Sequence, residues 1–220
     1  MQLLNYNNMK KLAIIGTRDL AYQITHFVTS DNQYNVVGYI DDLEPKGKII
    51  NERPVICSTH ECEEYYKRGM FDCVIIGIGY SRFDLRKSIY EELKGKVPFG
   101  TFIHSTCYVD PTAKIGEGCV IYPRCILDMN ADIRPNVFIN WGSGIGHDAI
   151  MHSHSFIAAN VLIAGLSEVG EKCMIGNGTT FIDHIHVCND VTIGGGATVV
   201  KNITEPGIYV GTPAKKLEKK

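Results

Sequence analysis

The 220-residue chain has no marked excess of either charge: 22 basic residues against 24 acidic ones leave a formal net charge of −2. Chains that bind nucleic acid carry a basic surplus, so that class is set aside. No apolar run reaches the roughly 18 residues that a membrane-spanning helix needs. Residues 1–8 contain no basic stretch followed by an apolar one, so no secretory signal is expected. Eight cysteines are too few for a disulfide scaffold of this length, and they form no CxxC pair. Small core thiols in a reducing cytoplasm are the expectation. What remains, 45% apolar and 21% charged residues, suits a soluble globular protein of one large or two small domains.

Two halves, 1–100 and 101–220, follow different rules. In the first, strand-like and helix-like stretches alternate. Residues 9–16 read as a buried strand ending at Gly16, 18–29 as a helix, and 34–42 as a strand with Asp41 and Asp42 at its end. A short segment at 53–56, a helix at 59–68, the strongest strand at 71–79 and a helix at 81–94 complete the half. Such alternation predicts a small parallel sheet with helices on its faces.

In the second half every sixth residue from 103 to 199 is apolar, seventeen positions in one frame without a slip. Two places earlier the residue is mostly small, as at Ala113, Ala131, Ser143 and Ser155. A fixed short period marks a repeat architecture. Three hexads, 18 residues, close one triangular coil; the aliphatic residue of each points inward. Coils then pair as parallel strands about 4.8 Å apart, and only stacking buries the apolar column. Gly116, Gly146, Gly170, Gly176 and Gly194 follow the aliphatic residue, where a tight turn is expected. Cys107, Cys119, Cys125 and Cys173 fall at the small position, so packing explains them better than nucleophilic or metal chemistry.

Residues 18 apart therefore stack. In Ile145-Gly146-His147-Asp148 the last two fall at a corner and point outward, and one coil beyond His147 stands Gly165. The glycine is expected to leave a slot beside the imidazole, with backbone N–H groups facing a thioester carbonyl. A neutral imidazole suits deprotonation of an attacking amine or hydroxyl, and Asp148 would hold its tautomer. On position alone, an exposed histidine on a turn is the competing reading. His184, in the column of Asp148, either flanks a groove or belongs to a surface ladder. His152 and His154 read as face or loop residues.

The hexads over residues 101–200 resemble the hexapeptide-repeat acyltransferase superfamily, which implies a left-handed parallel β-helix and a trimer. Asn140, seven residues before His147, together with Gly146-His147-Asp148 and Gly165, is similar to the active-site pattern of the sialic-acid O-acetyltransferase and bacillosamine-pathway amino-sugar N-acetyltransferase family. The resemblance implies His147 as general base, Asp148 as its orienting group, Asn140 lining the site and Gly165 offering its N–H to the thioester. Phe156 stands where some relatives carry a second histidine. The closing stretch is similar to the family's CoA-holding end, which implies contacts from Gly195, Ala197, Lys201, Pro213 and Lys215, the lysines suiting phosphates. Glu218, Lys219 and Lys220 read as a solvated end.

The family's N-terminal domain is a Rossmann-like unit for a nucleotide-linked sugar. Ligands of such sheets sit beyond the C-terminal strand ends. Gly16 and the helix start after it would take a pyrophosphate, Arg18, Arg82 or Arg86 would add charge-assisted hydrogen bonds, and Asp41 or Asp42 would meet a base or ribose. Relatives show Gly-x-Gly-Gly-His-Gly; here Gly16-Thr17-Arg18-Asp19-Leu20-Ala21 keeps only the first glycine, which brings Arg18 forward as a reader of phosphate or sugar. The dehydrogenase fingerprint is absent.

The implied activity is N-acetylation of a nucleotide-linked amino sugar by acetyl-CoA, without a metal, in a cytoplasmic homotrimer serving glycan synthesis. O-acetylation of a sugar hydroxyl uses the same base and stays open. A β-helix zinc lyase would need a third histidine beside His147 and His152, but Pro111 stands at the upstream position. A non-catalytic scaffold fits poorly with the combination of Asn140, His147, Asp148 and Gly165.

Overall fold

The computed structural model describes residues 9–218; the readings made for residues 1–8 and for Lys219 and Lys220 lie outside the described residues. The chain divides after Phe102 into two compact units.

The first unit contains β1 (Lys11–Ile15), α1 (Asp19–Ser30), β2 (Asn35–Ile40), β3 (Ile49–Ile50), β4 (Arg53–Cys57), α2 (Cys62–Lys67), β5 (Cys73–Ile76) and α3 (Phe83–Leu93). The sheet runs in the order β3-β4-β2-β1-β5, parallel except for the edge strand β3. β5 and, after Lys11, β1 are unbroken apolar runs, as parallel strands covered on both faces must be. α1 buries Ala21, Ile24, Thr25 and Val28, the stripe of an amphipathic helix. The last strand is shorter than the expected 71–79. It stops at Ile76 because a Cβ on Gly77 would lie 2.8 Å from the Cα of Ala21, so α1 passes directly against that position. α2 is also shorter than expected: the turn before it is closed by the Ser58 N–H and hydroxyl donating to the Glu61 carboxylate at 3.0 and 2.9 Å. β1 lies between β2 and β5, so the strand order reverses beside it. That reversal puts a crevice at the C-terminal ends of β1 and β5.

The second unit is a solenoid of short strands, mostly two residues long, in three sheets, one per face, parallel except where Gly207–Val210 meets Lys215–Lys216. Face I carries Val120–Ile121, Phe138–Ile139, Phe156–Ile157 and Met174–Ile175. Face II carries Tyr108–Val109, Ile126–Leu127, Gly144–Ile145, Leu162–Ile163, Thr180–Phe181 and Thr198–Val199. Face III carries Lys114–Ile115, Asp132–Ile133, Ile150–Met151, Glu168–Val169 and His186–Val187. Each residue pairs with the one 18 positions on, as Ile145 does with Ile163. The hexad column forms one core, with Ile103, Val109 and Ile115 only partly buried at its start.

The corners depart from the expected reading. The glycines after the aliphatic residue are not there for a left-handed turn. A Cβ on Gly146 would meet Gly165 N at 2.7 Å and Ala164 C at 2.9 Å, and Gly116, Gly170 and Gly176 face the next coil's corner equally closely. They are required by close approach of backbones. The left-handed residue comes two places later: every sixth position from 118 to 196 has φ between 54 and 72°. There the turned N–H donates to a corner carbonyl of the preceding coil, as from Asp148 to Met129 (2.8 Å) and from Leu166 to His147 (2.9 Å). Asparagine, aspartate and glycine recur at this position because they adopt that conformation at least cost. The small inward residues also do more than pack. Ser143, Ser155 and Cys173 donate to carbonyls fifteen residues on, at 2.8, 2.8 and 3.2 Å, so a buried thiol substitutes for a serine hydroxyl.

Candidate active site

His147 and Asp148 stand at the corner between faces II and III, directly after the strand Gly144–Ile145. Asp148 holds φ at 56°, which turns its carboxylate back toward the preceding side chain. Its Oδ2 lies 3.0 Å from His147 Nδ1. Its Oδ1 accepts from Asn130 Nδ2, one coil earlier, at 3.0 Å. The hydrogen bond with His147 first, and that from Asn130 second, hold the Asp148 carboxyl below its ordinary range. An ionised carboxylate only accepts, so Nδ1 carries a proton, and in the neutral ring it is Nε2 that keeps the lone pair. The imidazole is about half exposed (49%), open to an incoming substrate.

The ring lies across Gly165. A Cβ built there would overlap His147 Nε2 and stand 2.7 Å from Cδ2 and Cε1. The expected slot is therefore filled by the imidazole itself; the glycine is needed so that the ring can lie flat against the next coil. The backbone part of the expectation is met: among the described residues the Gly165 N–H donates to no partner. An open donor thus sits beside an unprotonated ring nitrogen, an arrangement suited to a carbonyl that gains negative charge as a proton leaves its attacker.

The same column continues through Asp183 to Lys201, each 18 residues on, placing Lys201 about 14 Å from His147 along the corner. Beside it run the exposed side chains of Leu166, Ile182 and Val200. This apolar track with a cation at its end suits a long thioester arm with terminal phosphates. His184 is exposed on the track, its N–H bonded to Gly165 O at 3.1 Å. Pro213 and Lys215 are exposed on the closing hairpin, where Gly207–Val210 pairs with Lys215–Lys216 and Ala214 N donates to Thr198 O on face II (2.8 Å).

Three expected contacts fall elsewhere. Ala197 is 1% exposed and points into the solenoid core, while its N–H and C=O bond Gly194 and Thr180, so nothing of it is left for a cofactor. Gly195 lies on the corner between faces I and II, not on that of His147. Asn140 is on the same corner as Gly195; its Oδ1 accepts from the Trp141 N–H (2.8 Å), and no hydrogen bond joins it to His147. His152, on the corner between faces III and I, pairs with Glu168 at 2.5 Å, and Glu168 also faces His186 at 3.2 Å.

At the sheet crevice of the first unit, Gly16 has φ 103° and its N–H donates to Ile40 O (2.8 Å). Arg18 and Arg82 stand at the N-cap positions of α1 and α3, make no side-chain capping bond, and are exposed. Asp41 braces the turn, accepting from the Thr17 hydroxyl (2.7 Å) and the Leu43 N–H (2.8 Å), and Asp42 accepts from the Thr59 N–H (2.6 Å). Arg86 departs from expectation: it is 2% exposed and donates to the carbonyls of Ile76 (3.2 Å) and Ile78 (2.6 Å), so it fixes the loop after β5 from beneath rather than facing a ligand.

Comparison with known proteins agrees with both halves. Residues 11–93 match the PglD N-terminal domain and residues 103–209 the GMPPB C-terminal domain. The acetyltransferase domain of PglB from Neisseria gonorrhoeae superposes with a TM-score of 0.84 at 25% identity, over 94% of this chain and 100% of that one. In both halves the chain is similar to hexapeptide-repeat amino-sugar acetyltransferases. A perosamine N-acetyltransferase from Caulobacter crescentus, solved with CoA and GDP-perosamine, shares the fold (TM-score 0.87, 20% identity, 95% of this chain and 97% of that one). A UDP-3-O-acylglucosamine N-acyltransferase from Bordetella avium is 43% identical over 67 residues, which span 30% of this chain and only 19% of that relative. As in these structures, the architecture is a Rossmann-like domain followed by a left-handed β-helix. Asn130 is the site residue that motif reading missed. Its signal was present, since it stands 18 residues before Asp148.

Proposed function

We propose that this protein is an acetyl-CoA-dependent N-acetyltransferase acting on a nucleotide-linked amino sugar. The observation that carries this reading is the His147 ring, held by Asp148 and lying across Gly165 with the Gly165 N–H open. In the proposed reaction the sugar amine attacks the thioester carbonyl and His147 Nε2 takes the amine proton. The oxyanion is received by the Gly165 N–H. The thiolate of CoA then leaves and is reprotonated from the imidazolium, so the histidine returns to its starting state. The pantetheine arm follows Leu166, Ile182 and Val200, and Lys201, Lys215 and Pro213 hold the nucleotide end of CoA. In the first unit Gly16, Arg18, Asp41, Asp42 and Arg82 receive the nucleotide of the sugar, and Arg86 supports the loop that carries Arg82. A similar protein solved with acetyl-CoA and one solved with CoA and GDP-perosamine support the choice of these two substrates.

The working form in this reading is a homotrimer. The outward residues of face II are Tyr108, Ile126, Gly144, Leu162, Thr180 and Thr198, with no charge among them, whereas face III presents Lys114, Asp132, Glu168 and His186. Tyr108, Ile126 and Leu162 are each more than half exposed, a patch of the kind that marks a protein contact. Three copies packed through face II would set the Asn140 and Gly195 corner of one beside the His147 corner of the next. The eight free cysteines agree with a cytoplasmic setting, and surface-glycan synthesis is the process that uses such sugars.

The reading is tested by CoA-thiol release from acetyl-CoA with a panel of UDP-, dTDP- and GDP-linked amino sugars, and with matched sugars bearing hydroxyls only. Release with an amino sugar supports N-acetylation. Release confined to hydroxyl acceptors replaces it with O-acetylation, and no release with any acceptor rejects acetyl transfer.

A further inference from the structure

Asn130 lies outside every motif that points to the site, yet it is tied into it. Asn130 and Asp148 are stacked one coil apart, and both hold left-handed backbone conformations, at φ 57° and 56°. Its backbone is anchored separately, the Asn130 N–H donating to Thr112 Oγ1 at 2.8 Å, while Thr112 in turn donates to Asp110 (2.6 Å). That leaves the side-chain amide committed to one task, the 3.0 Å bond to Asp148 Oδ1. The amide orientation is not arbitrary: a carboxylate only accepts, so Nδ2 must face it. With Oδ1 held from one side, the opposite oxygen Oδ2 is aimed at His147 Nδ1.

We propose that Asn130 is a positioning residue for acetyl transfer: it locks the rotation of the Asp148 carboxylate and thereby fixes His147 with Nδ1 protonated and Nε2 free. This rests on the reading of His147 as the general base. The other titratable groups on this corner are Asp110, Asp128, Asp183, His184 and Lys201; Asp110 accepts from Thr112 (2.6 Å), Asp128 is engaged by the Met129 N–H (2.8 Å) and Asp183 faces His184 (3.8 Å), while Lys201 lies about 14 Å from His147 along the corner. None of these aspartates substitutes for the Asn130 amide, because each can only accept. A rotationally free carboxylate can still meet the ring, but it loses the fixed direction that selects one tautomer.

The test uses glycine substitutions, which delete the side chains while keeping the left-handed backbone at no steric cost. Asn130→Gly should lower kcat about tenfold, the size expected for one hydrogen bond to a charged group, with KM for acetyl-CoA unchanged. In an Asp148→Gly background the same change should be silent, because its effect passes through Asp148. An equal loss in both backgrounds, or no loss in either, overturns the inference. A second measurement is independent of activity: 15N spectra of the imidazole above its titration range. The Nδ1-protonated form of His147 should dominate in the unsubstituted protein and give way to a mixture in Asn130→Gly. Unchanged tautomer populations overturn the proposal even if acetyl transfer is established. Conversely, a protein without acetyltransferase activity but with the tautomer shift would retain Asn130's role and lose only the proposed reaction.

Discussion

At the scale of single residues, the two glycines at the His147 corner have different neighbours and should respond differently to the same substitution. A methyl group on Gly165 meets the His147 ring first, and that ring can swing aside. Gly165→Ala should therefore leave stability within about 0.5 kcal/mol while lowering kcat about 100-fold through the displaced base. On Gly146 the methyl meets backbone of residues 163 to 165, which cannot move without parting two coils. Gly146→Ala should cost about 1–3 kcal/mol in a denaturant titration. The pH profile follows from the same corner. Asp148 is held below the usual carboxylate range, so its charge is present above that range and lost only in stronger acid. The kcat/KM profile should then show no limb from Asp148 in the ordinary carboxylate range; an acid limb there that disappears in Asp148→Gly would contradict it. Much of this was legible from spacing alone, because the 18-residue stack places Gly165 in the column of His147 and Asp148 in the column beside it. The conformation of the ring was not: a glycine above a histidine reads as a vacancy until the side chain is seen to fill it. Asn130 escaped because its link to Asp148 depends on two left-handed corners.

At the scale of elements, the strict sixfold period specified the solenoid register over its whole length. The corners were misread because glycine after the aliphatic residue resembles a turn signal, whereas its cause lies 18 residues away. In the first unit the alternation of apolar runs and helical stripes located every helix and the parallel strands. It missed the edge strand Ile49–Ile50 and gave Arg86 to the surface, because a single arginine on a helix does not reveal which carbonyls lie beneath it. The small-position cysteines carry a further expectation. Burial pushes the Cys173 thiol up to about 12, so it stays protonated and donates to Cys188 O. Cys173→Ser keeps a donor and should be near neutral, whereas Cys173→Ala strands that carbonyl and should cost about 1 kcal/mol by thermal unfolding. Equal costs for the two would show that packing alone matters there.

At the scale of the whole molecule, the uncharged face II is the surface that an assembly would cover. Ile126→Glu with Leu162→Glu should convert a trimer to monomers in sedimentation or light-scattering measurements and reduce acetyl transfer with it, since Asn140 and Gly195 would then lie far from the base they are proposed to serve. A trimer that survives both substitutions would move the contact to another face. The central claim is that His147 is the base of acetyl transfer to a nucleotide-linked amine. The most direct test compares kcat for CoA release by the unsubstituted protein and by His147→Ala, using the amino sugar that is accepted and checking that the released CoA matches N-acetylated product. A drop of about a thousandfold with an unchanged fold is the expected result; a variant that keeps more than a tenth of the rate would contradict the account.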